Sequence, residues 1–130
     1  MATHQLDVQE YYFNKIEEGT KTVEGRAGKV DTSKNINENY KEHQSIYKAG
    51  DRLQFTVSGK ENSKTLLCDI TAVKFYDGFE NMLRQSGLQN CLPDIDSIDK
   101  GVEIYRSFPG YADREVKYGA VGIHIRLIDS

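Results

Sequence analysis

Apolar and polar positions alternate most cleanly over Arg52 to Val57, where Leu53, Phe55 and Val57 share one side and Arg52, Gln54 and Thr56 the other. This period of two predicts a half-buried strand. Thr65 to Tyr76 predicts a longer one whose phase changes: Leu66, Cys68 and Ile70 have one parity, Val73 and Phe75 the other. A bulge near Thr71-Ala72 restores the pleat and bends the strand. Gly119 to Ile128 predicts a last strand, with Val121, Ile123, Ile125 and Leu127 on one face. A short strand around Leu6 is also expected. Helical spacing replaces alternation in three places. Tyr12, Phe13 and Ile16 predict a first helix from Asp7, with Glu10 completing a capping pair, to Gly19. Asp77 and Glu80 repeat that pair ahead of Phe79, Met82 and Leu83, and Gly87 closes the second helix. Ile98, Val102 and Tyr105 predict a third between Ser97 and Ser107.

Residues 27–49 show no periodicity and are rich in Asn, Lys and Glu, so they predict a polar loop or lid, with Tyr40, Ile46 and Tyr47 able to pin its end. No repeat or linker divides the 130 residues, and one domain is expected. Helices interspersed among strands, one of them bulged, predict an α+β fold: a small curved sheet or open barrel with about three helices around it.

Composition narrows the function. With 38% hydrophobic residues the chain can build a core, and no apolar run reaches membrane-spanning length. The first residues lack a signal-peptide pattern, so an intracellular site, cytoplasmic or nuclear, is expected. A net charge of −3 argues against general duplex binding and favours a local patch or a base-sized pocket. Cys68, Cys91 and the three histidines have no metal-ligand spacing, so neither metal nor cofactor is expected. Cys68 lies in an apolar run and reads as a reduced core thiol.

The densest chemistry is Gly-Thr-Lys-Thr-Val-Glu-Gly-Arg at 19–26. Lys21, Glu24 and Arg26 are either a solvated turn or one polar site. Arg26 can offer a planar fork to a phosphate or carbonyl edge. Lys21 supplies a charge, or a base or nucleophile if desolvated. Glu24 can orient Lys21, accept a base amino group, or act as a general base. In an extended segment Lys21 and Glu24 would face opposite sides. A shared site therefore requires a turn or bulge between Lys21 and Gly25. With 8 Tyr, 5 Phe and no Trp, any stacking wall must be Tyr or Phe. Tyr105 and Phe108 read as packing residues, Tyr111 as the exposed aromatic of a Pro-Gly turn, and Tyr47 as a residue able to close over a ligand.

Gly19, Lys21, Glu24 and Arg26 match Gly-x-Lys-x-x-Glu-x-Arg after a first helix. Gly50-Asp51 precedes an alternating strand. Phe75-Tyr76-Asp77-Gly78-Phe79-Glu80, Leu92-Pro93 before Val102 to Tyr105, and Tyr118 to Val121 extend the match over residues 4–128 apart from the polar loop. In these features the chain resembles the ASCH domain, a branch of the PUA-like β-barrel superfamily. The resemblance implies a PUA-like barrel with a ligand cleft beside the first helix and the motif, holding Lys21, Glu24 and Arg26; the reading of the aromatic residues adds Tyr47 and Tyr111 as expected contacts. The resemblance also implies RNA, a nucleotide or a nucleoside as partner, and a role in RNA metabolism or transcription coactivation. Some small bacterial members are amidohydrolases of N4-acetylcytidine-type substrates, and ribonuclease activity is attributed to another. An enzyme of either kind would centre on Lys21. The amidohydrolases, however, carry a nucleophilic threonine three places after the lysine, where this chain has Glu24. A protein-interaction domain without a small ligand is the third alternative.

Overall fold

A computed structural model of the chain describes residues 1–28, 46–60 and 64–129. Tyr40 and most of the polar loop expected over 27–49 lie outside the described residues. The elements run β1 (Thr3–Val8), α1 (Glu10–Glu18), β2 (Val23–Ala27), β3 (Arg52–Val57), β4 (Leu66–Tyr76), α2 (Phe79–Ser86), α3 (Leu88–Cys91), α4 (Ile98–Arg106), α5 (Tyr111–Tyr118) and β5 (Ala120–Asp129). The strands form one sheet in the order β1-β3-β4-β5-β2. β1 lies parallel to β3, and the other pairs are antiparallel. Pairing of β4 with β5 slips between Ile70 and Ala72, where the parity change predicts a bulge, and again between Leu67 and Cys68. Extra residues on one strand increase twist and bend the ladder. The fold is α+β, a curled five-stranded half-barrel of PUA-like type.

The sheet separates two cores. Leu53, Phe55, Leu66, Cys68, Val121 and Ile123 are fully buried on the inner face, where α1 contributes Phe13 and Ile16. The outer face buries Val23, Ala27 and Ala120 against Phe79, Met82, Leu83 and Tyr105 from α2 and α4. Among the described residues, no helix is long and apolar enough to cross a membrane.

Two helix starts differ from the expected ones. Asp7 does not cap α1; it belongs to β1, pairs in register with Thr56, and accepts a hydrogen bond from Ser58 Oγ at 2.8 Å. Parallel pairing through Val8 carries the strand past the local capping pattern, and Gln9 stands at the N-cap without a side-chain bond. Nor does Asp77 cap α2. Gly78 precedes that helix, and the Phe79 N–H donates to Glu115 Oε2 at 2.8 Å. Glu115 is buried and also accepts from Arg106 Nε at 2.7 Å, so α5 supplies the anion for the positive end of α2. α4 starts where expected, with Ser97 Oγ accepting from the Lys100 N–H at 3.2 Å. Ser97→Ala should lower unfolding free energy by about 1 kcal/mol, measurable by urea denaturation. An unchanged midpoint would mean that packing alone holds the α4 terminus.

α3 and α5 lie beyond the three helices the sequence predicts. Tyr111 opens α5 instead of standing in a turn. The Pro-Gly bend ends at Gly110, whose φ of 77° is in the left-handed region.

Candidate functional site

The sheet curls until its two edge strands line one cleft. Asp7 and Val8 of β1 stand on one side, Glu24, Gly25 and Arg26 of β2 on the other, and Gln9 and Tyr12 come from the start of α1. Lys21, Ser58, Leu92, Tyr105, Phe108, Pro109 and Tyr111 complete the wall. The volume of about 410 Å³ falls within the range of small-molecule sites.

Local geometry brings the motif together. α1 ends at Gly19, in the left-handed conformation with φ 85°. The N–H groups of Thr20 and Lys21 both donate to the Lys15 carbonyl, and that of Thr22 to the Asn90 carbonyl, each at 3.0 Å. Lys21 therefore precedes the strand, and the alternation that would separate it from Glu24 begins only at Val23. The turn required between Lys21 and Gly25 is this entry into β2.

Lys21 is almost wholly enclosed, its side chain 2% exposed. Nζ donates to the Val23 carbonyl at 2.7 Å and to the Cys91 carbonyl at 2.5 Å, and lies 3.4 Å from Glu24 Oε1. The Tyr12 ring covers it at 5.5 Å. Two of the ammonium's three donors are taken by these carbonyls, and the Glu24 carboxylate lies within ion-pair distance. Glu24 Oε2 accepts from an Arg26 terminal nitrogen at 2.8 Å. Both Glu24 oxygens are thus engaged, one by each base. Burial by itself would raise the Glu24 pKa, but the charges of Arg26 and Lys21 outweigh it and hold the carboxyl below its ordinary value. Burial opposes the Arg26 charge in the same way, and the Glu24 carboxylate overcomes it, so the guanidinium is held more firmly protonated than usual.

Two polar atoms on the cleft-lining residues have no hydrogen-bond partner among the described residues, although both are buried: Arg26 Nε and the Tyr105 hydroxyl. Burial pushes the Tyr105 pKa well above the ordinary tyrosine value, so its hydroxyl stays neutral. Tyr105 stacks on Phe79 with ring centroids 4.9 Å apart, and Tyr111 stacks on the same ring at 6.0 Å. Arg114 lies 5.6 Å over Tyr111.

Of the five residues the sequence marks as ligand contacts, Lys21, Glu24, Arg26 and Tyr111 line the cleft. Tyr47 is buried in the inner core, edge-on to His4 at 5.0 Å, and is not among the lining residues. Tyr12 and Tyr105 are lining residues that periodicity marks as helix packing. Only the approach of α1 and α4 to the seam distinguishes them. Among the described residues, no group of three or more His, Cys, Asp or Glu side chains could hold a metal ion.

No curated protein matches the chain. Among solved structures, the crystal structure of the hypothetical protein PH0355 is similar at 32% identity and a TM-score of 0.73, with 97% of this chain and 99% of that one covered. The solution structure of PF0455 from Pyrococcus furiosus matches at 28% identity and a TM-score of 0.70 over the full length of both chains. A variant of ZmASCH from Zymomonas mobilis matches at 14% identity and a TM-score of 0.54, covering 96% of this chain and 72% of that one, a likeness of fold alone. The ASCH domain family model matches residues 6–129. With nearly the whole chain inside that match, the protein belongs to the ASCH domain family.

Proposed function

We propose that this ASCH domain binds RNA or a nucleotide in the seam cleft, in the service of RNA metabolism or transcription coactivation. The observation that carries the reading is the pair of unpartnered polar groups, Arg26 Nε and the Tyr105 hydroxyl, on residues of an aromatic-walled cleft. A buried donor without a partner costs roughly 1–3 kcal/mol. A polar ligand that supplies the missing bonds recovers that free energy on binding. Tyr12, Phe108 and Tyr111 offer rings to a base, and Arg26 offers a fork.

The hydrolase alternative has less support. Lys21 is held by two backbone carbonyls and paired with Glu24, and Glu24, which stands where the related amidohydrolases have their nucleophile, faces a base at each oxygen. The arrangement suits a fixed electrostatic clamp better than a group that must shed or accept a proton.

Titration of single-stranded RNA hexamers against wild type and Arg26→Lys tests the reading. Lysine retains a charge for Glu24 but loses the fork, so affinity should fall about tenfold, equivalent to one charge-assisted hydrogen bond. If no hexamer, nucleotide or nucleoside binds the wild-type protein, the reading fails and the protein-interaction alternative replaces it.

A further inference from the structure

The pairing of β2 with β5 determines where the main chain of the motif points. The Ile125 N–H donates to the Thr22 carbonyl at 2.9 Å, and the Gly28 N–H to the Gly119 carbonyl at 2.8 Å. In this register the even-numbered residues of β2 exchange hydrogen bonds with β5, and the odd-numbered ones turn their N–H and C=O groups away. Val23 shows the direction, because its carbonyl receives Lys21 Nζ. Among the described residues β2 is an edge strand, and none of their strands pairs with Gly25 on that side. Gly25 is also a lining residue of the cleft. It therefore turns one donor and one acceptor, side by side, toward the seam.

The absence of a side chain at this position matters twice. A Cβ on Gly25 would lie 2.5 Å from the Tyr105 hydroxyl and 2.7 Å from Met82 Cε. Glycine lets the Tyr105 hydroxyl, itself without a partner among the described residues, pack onto the face of β2 where a side chain would stand, beside the outward-turned N–H and C=O of Gly25.

Charge gives a second constraint. The ionisable lining residues of opposite sign are balanced: Lys21 and Arg26 against Glu24 and Asp7. Lys21 and Arg26 are both already committed to Glu24. Little free positive charge remains for a phosphate, whereas neutral donors and acceptors are on offer.

Building on the proposed binding of RNA or a nucleotide, we propose that Gly25 and Tyr105 form a recognition edge for a neutral planar group with adjacent donor and acceptor, the hydrogen-bonding edge of a nucleobase, and that the phosphate is not what the cleft reads. Gly25 N–H donates to the ring nitrogen or carbonyl of the base, Gly25 C=O accepts from its amino or imino group, and the Tyr105 hydroxyl takes a third position. Stacking residues hold the ring in plane.

The test uses the 15N-labelled protein with the four ribonucleosides, ribose 5-phosphate and a single-stranded RNA hexamer. At least one nucleoside should move the Gly25 amide proton downfield, and ribose 5-phosphate should not compete with it. Tyr105→Phe should weaken that nucleoside about tenfold, as loss of one hydrogen bond to a buried group requires. Because the hydroxyl lacks a partner in the free protein, the same variant should unfold at an equal or higher temperature, so weaker binding cannot be ascribed to misfolding. Saturation by a nucleoside without a shift at Gly25, or ribose 5-phosphate binding as well as any nucleoside, overturns the recognition edge. RNA binding without any nucleoside response overturns this inference alone. Failure of RNA, nucleotides and nucleosides together overturns the nucleotide-binding reading as well.

Discussion

Replacing Glu24 with glutamine should destabilise the domain by about 3–5 kcal/mol at neutral pH, because it leaves Lys21 buried without its counter-charge. Lys21 is 2% exposed and Glu24 9%, so solvent cannot take the place of the lost carboxylate. The amide also has one accepting oxygen where the carboxylate serves two bases, so Lys21 and Arg26 cannot both keep their partner. Acidification adds a second signature. The folded-state pKa of Glu24 lies below its unfolded value, so the carboxylate's contribution is complete above the unfolded value of about 4.3 and is lost as pH falls through the folded value. The gap between wild type and Glu24→Gln should therefore be widest at neutral pH and narrow progressively below about pH 4. Urea denaturation at neutral and acidic pH measures both features. A small gap, constant with pH, would mean that the cluster is solvated and contributes as little as an exposed pair.

A companion variant separates structure from recognition. Lys21→Met with Glu24→Leu removes both members of the pair and should be more stable than Glu24→Gln alone, because apolar groups do not need each other's charge. It still leaves the Val23 and Cys91 carbonyls without Nζ and Arg26 without its carboxylate, so full recovery is not expected.

Much of this arrangement was legible in the residues, in proportion to how local each determinant is. The alternation of β3 and the parity change in β4 report side-chain burial directly, and Leu53, Phe55 and the slip at Ile70 appear where the pattern places them. Ser97 caps α4 because that bond spans three residues. The Asp7–Glu10 and Asp77–Glu80 pairs looked equally local but were overruled at a distance, the first by parallel pairing to β3 and the second by Glu115, thirty-six residues from the N–H it accepts. α5 leaves no trace in the hydrophobic pattern because its one buried position is that charged residue, so it has no apolar stripe. The site shows the same division. Lys21, Glu24 and Arg26 are contiguous and stand out as a motif. Tyr105 stands out as a core aromatic, which it is; that its hydroxyl lacks a partner depends on packing between α4 and β2.

The second large effect is expected at Gly25, which stands without a side chain between Glu24 and Arg26. Gly25→Ala would place a methyl group 2.5 Å from the Tyr105 hydroxyl, 2.7 Å from Met82 Cε and 2.8 Å from Tyr105 Cζ. All three are closer than real Cβ contacts, and Tyr105 and Met82 are buried at 3% and 0% exposure. Met82 can adjust at its flexible end. Tyr105 is held face to face with Phe79 and edge-on to Phe108, so its ring can leave only by disturbing α4. Overpacking of this kind costs about 1–3 kcal/mol. The larger consequence falls on the cleft: the methyl group and the displaced tyrosine together occupy the space beside the open edge of β2, and ligand binding should drop by at least about a hundredfold, near 2.7 kcal/mol. Adding Tyr105→Phe removes the closest of the three contacts and should return part of the stability. It should return none of the binding, since the hydroxyl is then gone as well. Thermal melts and nucleoside titrations on the single and double variants decide the matter. Full binding by Gly25→Ala would show that the ligand sits elsewhere and that Gly25 serves packing alone.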